Sequence, residues 1–393
     1  MSLRPFLDLG PMPIANGFLD AAEIADEPRF PLRAGFDPDT KLVQLLDLVP
    51  PERMFHDQYA FYSSSSSAMA KHFAAFAESV KSRTPSGGLV VEIGCNDGIM
   101  LQHFAGRRHL GIEPSANVAY AARERGLTVV GGFFTEERAG DLVKEHGQAD
   151  AVIASNVVCH VPDPADFFRG VAVLLKPPGL FIFEEPYLGD ILRLCSFDQI
   201  YDEHASYFSL TSVAALANAA GLELVHAEWQ VTHGGSMRYT VACRGERAAS
   251  DDVFRLLGKE VVLGLGDEAA YAAFQERVDA KCATLRGLLE TLKSDGKRVA
   301  AYGATSKSTT VTNYAGIGPE LIEYITDTTP GKQGKLSPGV HIPVVSPERF
   351  YADPPDYMLL FAWNHAAEIL AKETAYRERG GRFITHVPEV KIL

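Results

Sequence analysis

The chain has 393 residues, too many for one ordinary core, so two or three domains are expected. Its 46% hydrophobic and 22% charged content is that of a globular protein, and no apolar run reaches the ~18 residues of a membrane span. A formal net charge of -13 argues against nucleic acid or a membrane surface as partner, so a bound phosphate would need a local basic or backbone-amide site.

Residues 1–70 are rich in Pro ("LGPMPIANGFL", "DEPRFPL", "LVPPERMF") and read as a small irregular module of turns and short strands. The start "MSLRPFLDLG" lacks the apolar core of a signal peptide. Five scattered cysteines (Cys95, Cys159, Cys195, Cys243, Cys282) form no CxxC pair, which suggests reduced thiols in a cytoplasmic protein. A helical stretch, "AMAKHFAAFAESVKS", opens a domain over 71–247. Its strand candidates "GLVVEIG", "HLGIEP", "LTVVGG", "ADAVIASNVV" and "GLFIFEEP" alternate with helices, the sign of a parallel α/β sheet. "LELVHAEWQVT" and "SMRYTVACR", split by "HGGS", look like an antiparallel hairpin closing that sheet. Residues 248–393 begin with helices and continue as a second α/β unit from "KRVAAYGATSKSTTVTNYAGIG", through "LIEYITD" and "YMLLFAW", to "GGRFITHVPEVKIL".

In the middle domain "VVEIGCNDGIML" puts Glu92, Gly94 and Gly98 at a strand-to-helix turn, and Glu113 ends the next strand. An acid there accepts hydrogen bonds from ribose hydroxyls. The turn is not GxGxxG, and Asp97 would repel a diphosphate, so a cationic sulfonium is the better fit. Glu92-x-Gly94-x-x-x-Gly98 with Glu113 resembles motifs I and II of class I S-adenosylmethionine-dependent methyltransferases. Asn96, Asp97, Pro114, Phe134 and Asn156 complete the expected cofactor set, and His160 in "SNVVCHVPDP" is expected to face the same crevice.

The stretch "FDQIYDEHASYFSL" crowds Tyr201, Glu203, His204 and Tyr207 into seven residues, which points to proton transfer. Further on, "GATSKSTTVTN" superficially resembles a Walker A loop, but Ala301 and Ser306 stand where its two glycines are required. A small-residue turn with Lys307 at a helix start remains a candidate phosphate site.

Taken in order, "EIGCNDGIML", "FEEPYLGDI", "SFDQIYDEHASYFS", "HGGSMRYTVA", "YGATSKSTTVTNYAGIG", "DTTPGKQGKLSPGVHIPV" and "LLFAWNHAAEI" resemble the sugar C-methyltransferases of deoxysugar biosynthesis, closest to the tetronitrose type. The likeness covers nearly the whole chain. It implies a zinc module, a class I methyltransferase domain and a C-terminal Rossmann-like domain. It also implies methylation of carbon 3 of a nucleotide-linked 4-keto-6-deoxysugar, thymidine diphosphate being the expected carrier. Carried over residue by residue, it supports catalytic roles for His204, Tyr201, Glu203, His160 and an N-terminal tyrosine, Tyr59 or alternatively Tyr62. Lys307, Thr310, Asn313, Arg238 and Asn364, with Tyr62, form the expected substrate set. The family's zinc cysteines are missing: the chain starts after the first pair, and "FDPDTK" puts Asp37 and Thr40 at the second, so no metal is expected.

The implied reaction needs a base for the hydrogen on carbon 3, with His204 first in line, and donors near the developing enolate oxygen. Tyr201 would share a face with His204 if the segment were helical. An O- or N-methyltransferase acting on a nucleotide sugar, and a non-catalytic nucleotide-sugar-binding protein, are the competing readings. A monomer is compatible with all three.

Overall fold

The structure is a computed structural model and describes residues 3–50, 54, 63 and 67–393. Alternating apolar positions in the first segment give β1 (Arg4–Pro13), β2 (Arg29–Phe36) and β3 (Val43–Leu45). They pair antiparallel and bury one face, including Leu7, Leu9, Leu32, Ala34, Phe36 and Val43. The sheet is completed by a two-residue strand from the middle of the chain, Ser206–Tyr207, whose Tyr207 lies opposite Val43. The N-terminal module therefore shares its sheet with the segment that carries His204.

Helix α1 (Ser67–Lys81) buries Phe73, Phe76, Ala77 and Val80, the i, i+3, i+4, i+7 spacing of one helix face. Each large side chain among them contributes about 1.5–3 kcal/mol on burial. The strands that follow are β4 (Val90–Ile93), β5 (His109–Glu113), β6 (Val129–Gly131), β7 (Ala149–Ser155) and β8 (Leu175–Pro186). After β9 (Ser206–Tyr207) come β10 (Leu222–Gln230) and β11 (Ser236–Cys243). The sheet order is β10-β11-β8-β7-β4-β5-β6, parallel from β8 to β6 and closed by the antiparallel β10–β11 pair, as the strand pattern predicts. This is the class I methyltransferase arrangement: an apolar parallel core with the loops after β4, β5, β6 and β7 gathered at one edge.

The C-terminal sheet has β12 (Val299–Tyr302), β13 (Ile325–Thr326), β14 (Val344–Val345), β15 (Tyr357–Leu360), β16 (Arg382–Thr385) and β17 (Lys391–Ile392). Its order is β14-β13-β12-β15-β16-β17, parallel except for β17. The short β14 has no clear period in the sequence, and the last predicted strand splits into β16 and β17.

Side chains stitch the three parts together. Lys281 donates to the carbonyls of Leu194, Cys195 and Pro388, each at 2.8 Å. Buried Asp198 accepts from Trp363 Nε1 at 2.6 Å and contacts His386 Nε2 at 3.2 Å. Glu27 of the first module accepts from the Gly339 amide at 2.7 Å. Among the described residues no helix is long and apolar enough to cross a membrane.

Candidate active site

A cavity of about 1410 Å³ lies where the three parts meet. Its walls come from the loops after β4 and β5, the segment around Tyr201, the N-terminal module at Asn16 and Phe18, and the C-terminal loops at Lys307 and Lys332.

At the donor end, Gly94 turns the chain with φ +66° and its amide bonds the Ile112 carbonyl at 2.8 Å. A side chain at Gly94 would strike Val157. The buried Glu113 carboxylate accepts from the amides of Asn96 and Ser115, each at 2.9 Å. Burial still pushes its pKa up, while those amides hold it down. Pro114 and Phe134 line the same end, and Gly132, with φ +109°, leaves open space where a Cβ would stand. Asn156 sits in the left-handed region at φ +53°, and its buried Oδ1 has no partner among the described residues. An acid at the end of the second strand, a glycine turn and apolar walls fit an adenosyl group, and Gly94, Asn96, Glu113, Pro114, Phe134 and Asn156 would hold it.

Three members of the expected cofactor set lie behind this wall. Glu92 is buried inside β4 next to Glu113 and Asp97, and burial raises its pKa well above the usual range. Asp97 is fully buried and pairs with Arg125 at 3.1 Å. At Gly98 a side chain would strike Leu127, so that glycine serves packing against the helix Ala116–Glu124, not a ligand.

At the centre, residues 201–204 form a tight turn, not a helix, closed by the His204 amide on the Tyr201 carbonyl at 2.9 Å. The turn achieves what a helix face was expected to do: Tyr201 Oη and His204 Nε2 are 2.8 Å apart. His204 Nδ1 is 2.9 Å from the Gln199 carbonyl, which only accepts, so Nδ1 carries the proton and Nε2 presents its lone pair to the Tyr201 hydroxyl. Burial holds the His204 pKa well below that of free imidazole, with His160 pushing the same way. His160 donates from Nδ1 to the Glu203 carbonyl at 2.6 Å, and the two imidazole rings are 5.2 Å apart. Desolvation lowers its pKa too. Glu203 faces the cavity, and burial pushes its carboxyl up to about 8. Tyr207 packs behind His204, with ring centroids 6.1 Å apart.

At the far end, the N-terminus of α10 (Ser306–Ala315) meets the cavity. Asp327 accepts from the Ala304 amide at 2.7 Å and the Thr329 amide at 2.8 Å. Half-buried Lys307 bonds Asn364 Oδ1 at 3.3 Å and lies 4.9 Å from the Trp363 ring. Lys332 bonds the Ala304 carbonyl at 2.8 Å and lies 4.6 Å from the Phe18 ring. Burial lowers both lysine pKa values, and among the described residues neither has a carboxylate in ion-pair contact.

The rest of the expected substrate set is placed elsewhere. Arg238 is buried against Glu184 (2.9 Å) and stacked 4.0 Å over Phe76, a fold-holding pair with no cavity face. Thr310 bonds the Ile200 carbonyl at 3.1 Å, and Asn313 bonds the carbonyls of Thr309 and Pro338 at 2.9 and 3.0 Å. Both brace α10. Tyr59 and Tyr62 lie outside the described residues.

Sequence reasoning missed Lys332, Asn16, His233 and Glu185. Glu185 accepts from the amides of Val157 and Val158 at 2.9 and 2.7 Å, which fixes the short turn Val158–His160 and so His160. Burial pushes its pKa up to about 7. An acid pair in the apolar strand "FIFEEP" was the available signal.

Cys159, His160 and His204 place possible metal-ligating atoms within 4.8 Å of one another. His160 Nδ1 and His204 Nδ1 are directed at carbonyls and His204 Nε2 at the Tyr201 hydroxyl, an arrangement for holding protons.

Family models match along the chain: "Putative zinc binding domain" over 1–55, "Methyltransferase domain" over 65–227 and "C-methyltransferase C-terminal domain" over 231–388. The first carries an implied metal that the residues present do not fit. Residues 1–55 contain neither Cys nor His. Fully buried Asp37 instead closes its turn, accepting from the Asp39 amide at 2.9 Å and the Thr40 hydroxyl at 2.8 Å. Among relatives, C-methyltransferase NovU of Streptomyces niveus is 35% identical, covering 98% of this chain and 93% of that protein. Ubiquinone biosynthesis O-methyltransferase of Ralstonia nicotianae is 26% identical over 42% of this chain and 80% of that protein. The solved methyltransferase CcbJ of Streptomyces caelestis matches with 16% identity and a TM-score of 0.38, covering 50% of this chain and 98% of its own. With a C-methyltransferase relative that matches it end to end and a C-methyltransferase C-terminal domain over 231–388, the chain belongs to the S-adenosylmethionine-dependent C-methyltransferases.

Proposed function

We propose that the protein methylates carbon 3 of a nucleotide-linked 4-keto-6-deoxysugar, carried by thymidine diphosphate. The observation that carries this reading is the placement of two half-buried ammonium groups, Lys307 and Lys332, in the same cavity as the Tyr201–His204 pair. Neither is in ion-pair contact with a carboxylate among the described residues, and they stand beside the first turn of α10, where backbone amides favour anions. A diphosphate satisfies both. A sugar attached to it extends toward His204.

S-adenosylmethionine supplies an electrophilic methyl group, so no metal is needed to activate it. The chain's own residues must remove a proton from carbon. A neutral imidazole is a far weaker base than an enolate, so proton removal and oxyanion stabilisation have to act together. In our reading the proton on carbon 3 passes to the Tyr201–His204 pair, the phenol handing its own proton to Nε2 as it accepts the new one. Glu203, protonated at neutral pH, donates to the ketone oxygen as charge develops there. His160 borders the same space, its ring oriented by the Glu203 carbonyl. Tyr59 or Tyr62 is the further phenol of this scheme. The five thiols are free, in keeping with a cytoplasmic site of action.

The test is incubation with S-adenosylmethionine and a panel of nucleotide 4-ketosugars, read by mass spectrometry and by the carbon position of the new methyl group. Turnover giving a methyl on carbon 3 is expected. Methyl on oxygen or nitrogen, or binding without turnover across the panel, overturns the reading.

A further inference from the structure

Residues 14–19 of the N-terminal module reach the cavity as a tight turn, with the Gly17 amide on the Ile14 carbonyl at 3.0 Å. The turn is gripped from two sides. The Ala15 amide donates to Asp202 Oδ1 at 2.9 Å, within the reactive segment. The Ala15 carbonyl accepts from Thr309 Oγ1 at 2.8 Å, on α10. A third contact follows at Leu19, which exchanges hydrogen bonds with Leu336 at 2.9 and 3.2 Å. Asn16, the next residue after Ala15, is thus held where all three parts of the protein meet.

Its side chain lines the cavity, and its buried Oδ1 has no hydrogen-bond partner among the described residues. Leaving a buried amide oxygen unpaired costs free energy unless a ligand pairs with it. The Ala15–Asp202 bond ties Asn16 to the segment that carries Glu203 and His204.

We propose that Asn16 is a substrate-recognition residue that accepts a hydrogen bond from a hydroxyl or amino substituent of the acceptor sugar. The proposal rests on the nucleotide-sugar reading above and adds a role for the N-terminal module: it supplies one wall of the acceptor site. Asp202 and Thr309 act as positioning residues for that wall.

The experiment compares Asn16→Ala and Asn16→Gly with the parent, using the ketosugar that the parent turns over. Loss of the contact raises the KM for the acceptor about tenfold to a hundredfold in both variants. The kcat changes less, and affinities for S-adenosylmethionine and for the free nucleoside diphosphate stay at parent values. Glycine tolerates the turn at least as well as Asn, so a Gly variant with parent KM beside an impaired Ala variant shows a turn-forming role and overturns the proposal. Unchanged KM in both, or a matching loss of nucleoside diphosphate affinity, overturns it too. If the Ala variant does not fold, the Gly variant alone decides. An inactive parent counts against the proposed substrate, whereas an active parent with unaffected variants counts only against Asn16.

Discussion

Two strand–turn–helix units in this chain share one hydrogen-bond skeleton. After β4, the Gly94 amide bonds the Ile112 carbonyl, and Glu113 accepts from Asn96 and Ser115. After β12, the Gly303 amide bonds the Thr326 carbonyl at 2.9 Å, and Asp327 accepts from Ala304 and Thr329. Both glycines have positive φ, +66° and +95°. What differs is the lining. The first unit meets the cavity with Asn96, Glu113 and Pro114, and no Lys or Arg of this unit lines it among the described residues. The second meets it with Lys307, Lys332 and Lys335. The backbone makes the same turn in both places; under the function proposed above, side-chain charge would select a cationic sulfonium for one and an anionic diphosphate for the other.

The sharpest way to break this division is at the seam between the units. His204→Gln should leave both binding ends intact and lose methyl transfer by about 10²–10⁴-fold, the usual worth of a general base. Because the Tyr201 hydroxyl covers Nε2, Tyr201→Phe should fall in the same range. Retention of most activity in Tyr201→Phe would confine the phenol to a supporting role. Next in size, Lys307→Ala or Lys332→Ala should weaken nucleoside diphosphate binding roughly tenfold to a hundredfold without touching S-adenosylmethionine affinity. Calorimetry with each ligand separates the two. Glu113→Ala should do the reverse, weakening S-adenosylmethionine by roughly 1–3 kcal/mol and sparing the nucleotide. Crossed effects would mean that the two ends are not independent.

Smaller effects sharpen the chemistry between them. Burial pushes the Glu203 carboxyl up to about 8, so if its proton is needed, activity should fall as pH rises through that value. Glu203→Gln keeps a donor and should lose that alkaline limb. His204, with its pKa held well below 6.5, adds no acid limb near neutrality. The smallest expected effect is from chelation: with Asp37 closing its turn through Asp39 and Thr40, chelator-treated protein should keep its melting temperature and contain far less than one equivalent of zinc.

Much of this division was legible in the sequence because it rests on short local patterns. The strand–glycine–helix turn at Gly94 with Glu113 one strand later is one such pattern, and the crowding of Tyr201, Glu203 and His204 within a single turn is another. Wrong placements came where type was read without packing. Gly98 and Asp97 sit in the expected motif yet face the helix after β5, and Arg238 is spent on Glu184. Thr310 and Asn313 lie on α10 but bond neighbouring backbone instead of facing the cavity. Lys332 and Asn16 could not be found this way at all. They are 316 positions apart in sequence, and only the docking of the first module on the C-terminal domain makes them neighbours of one site.

The central claim is that the Tyr201–His204 pair takes a proton from carbon 3 of a ketosugar held by the lysine-lined unit. It is tested most directly by following loss of deuterium from carbon 3 of a labelled nucleotide 4-ketosugar with S-adenosylhomocysteine bound, so that no methyl transfer follows. The account predicts washout into solvent by the parent protein and little or none by His204→Gln, with nucleotide and cofactor affinities unchanged. Washout by His204→Gln at the parent rate would contradict it and move the base elsewhere, with His160 the next candidate.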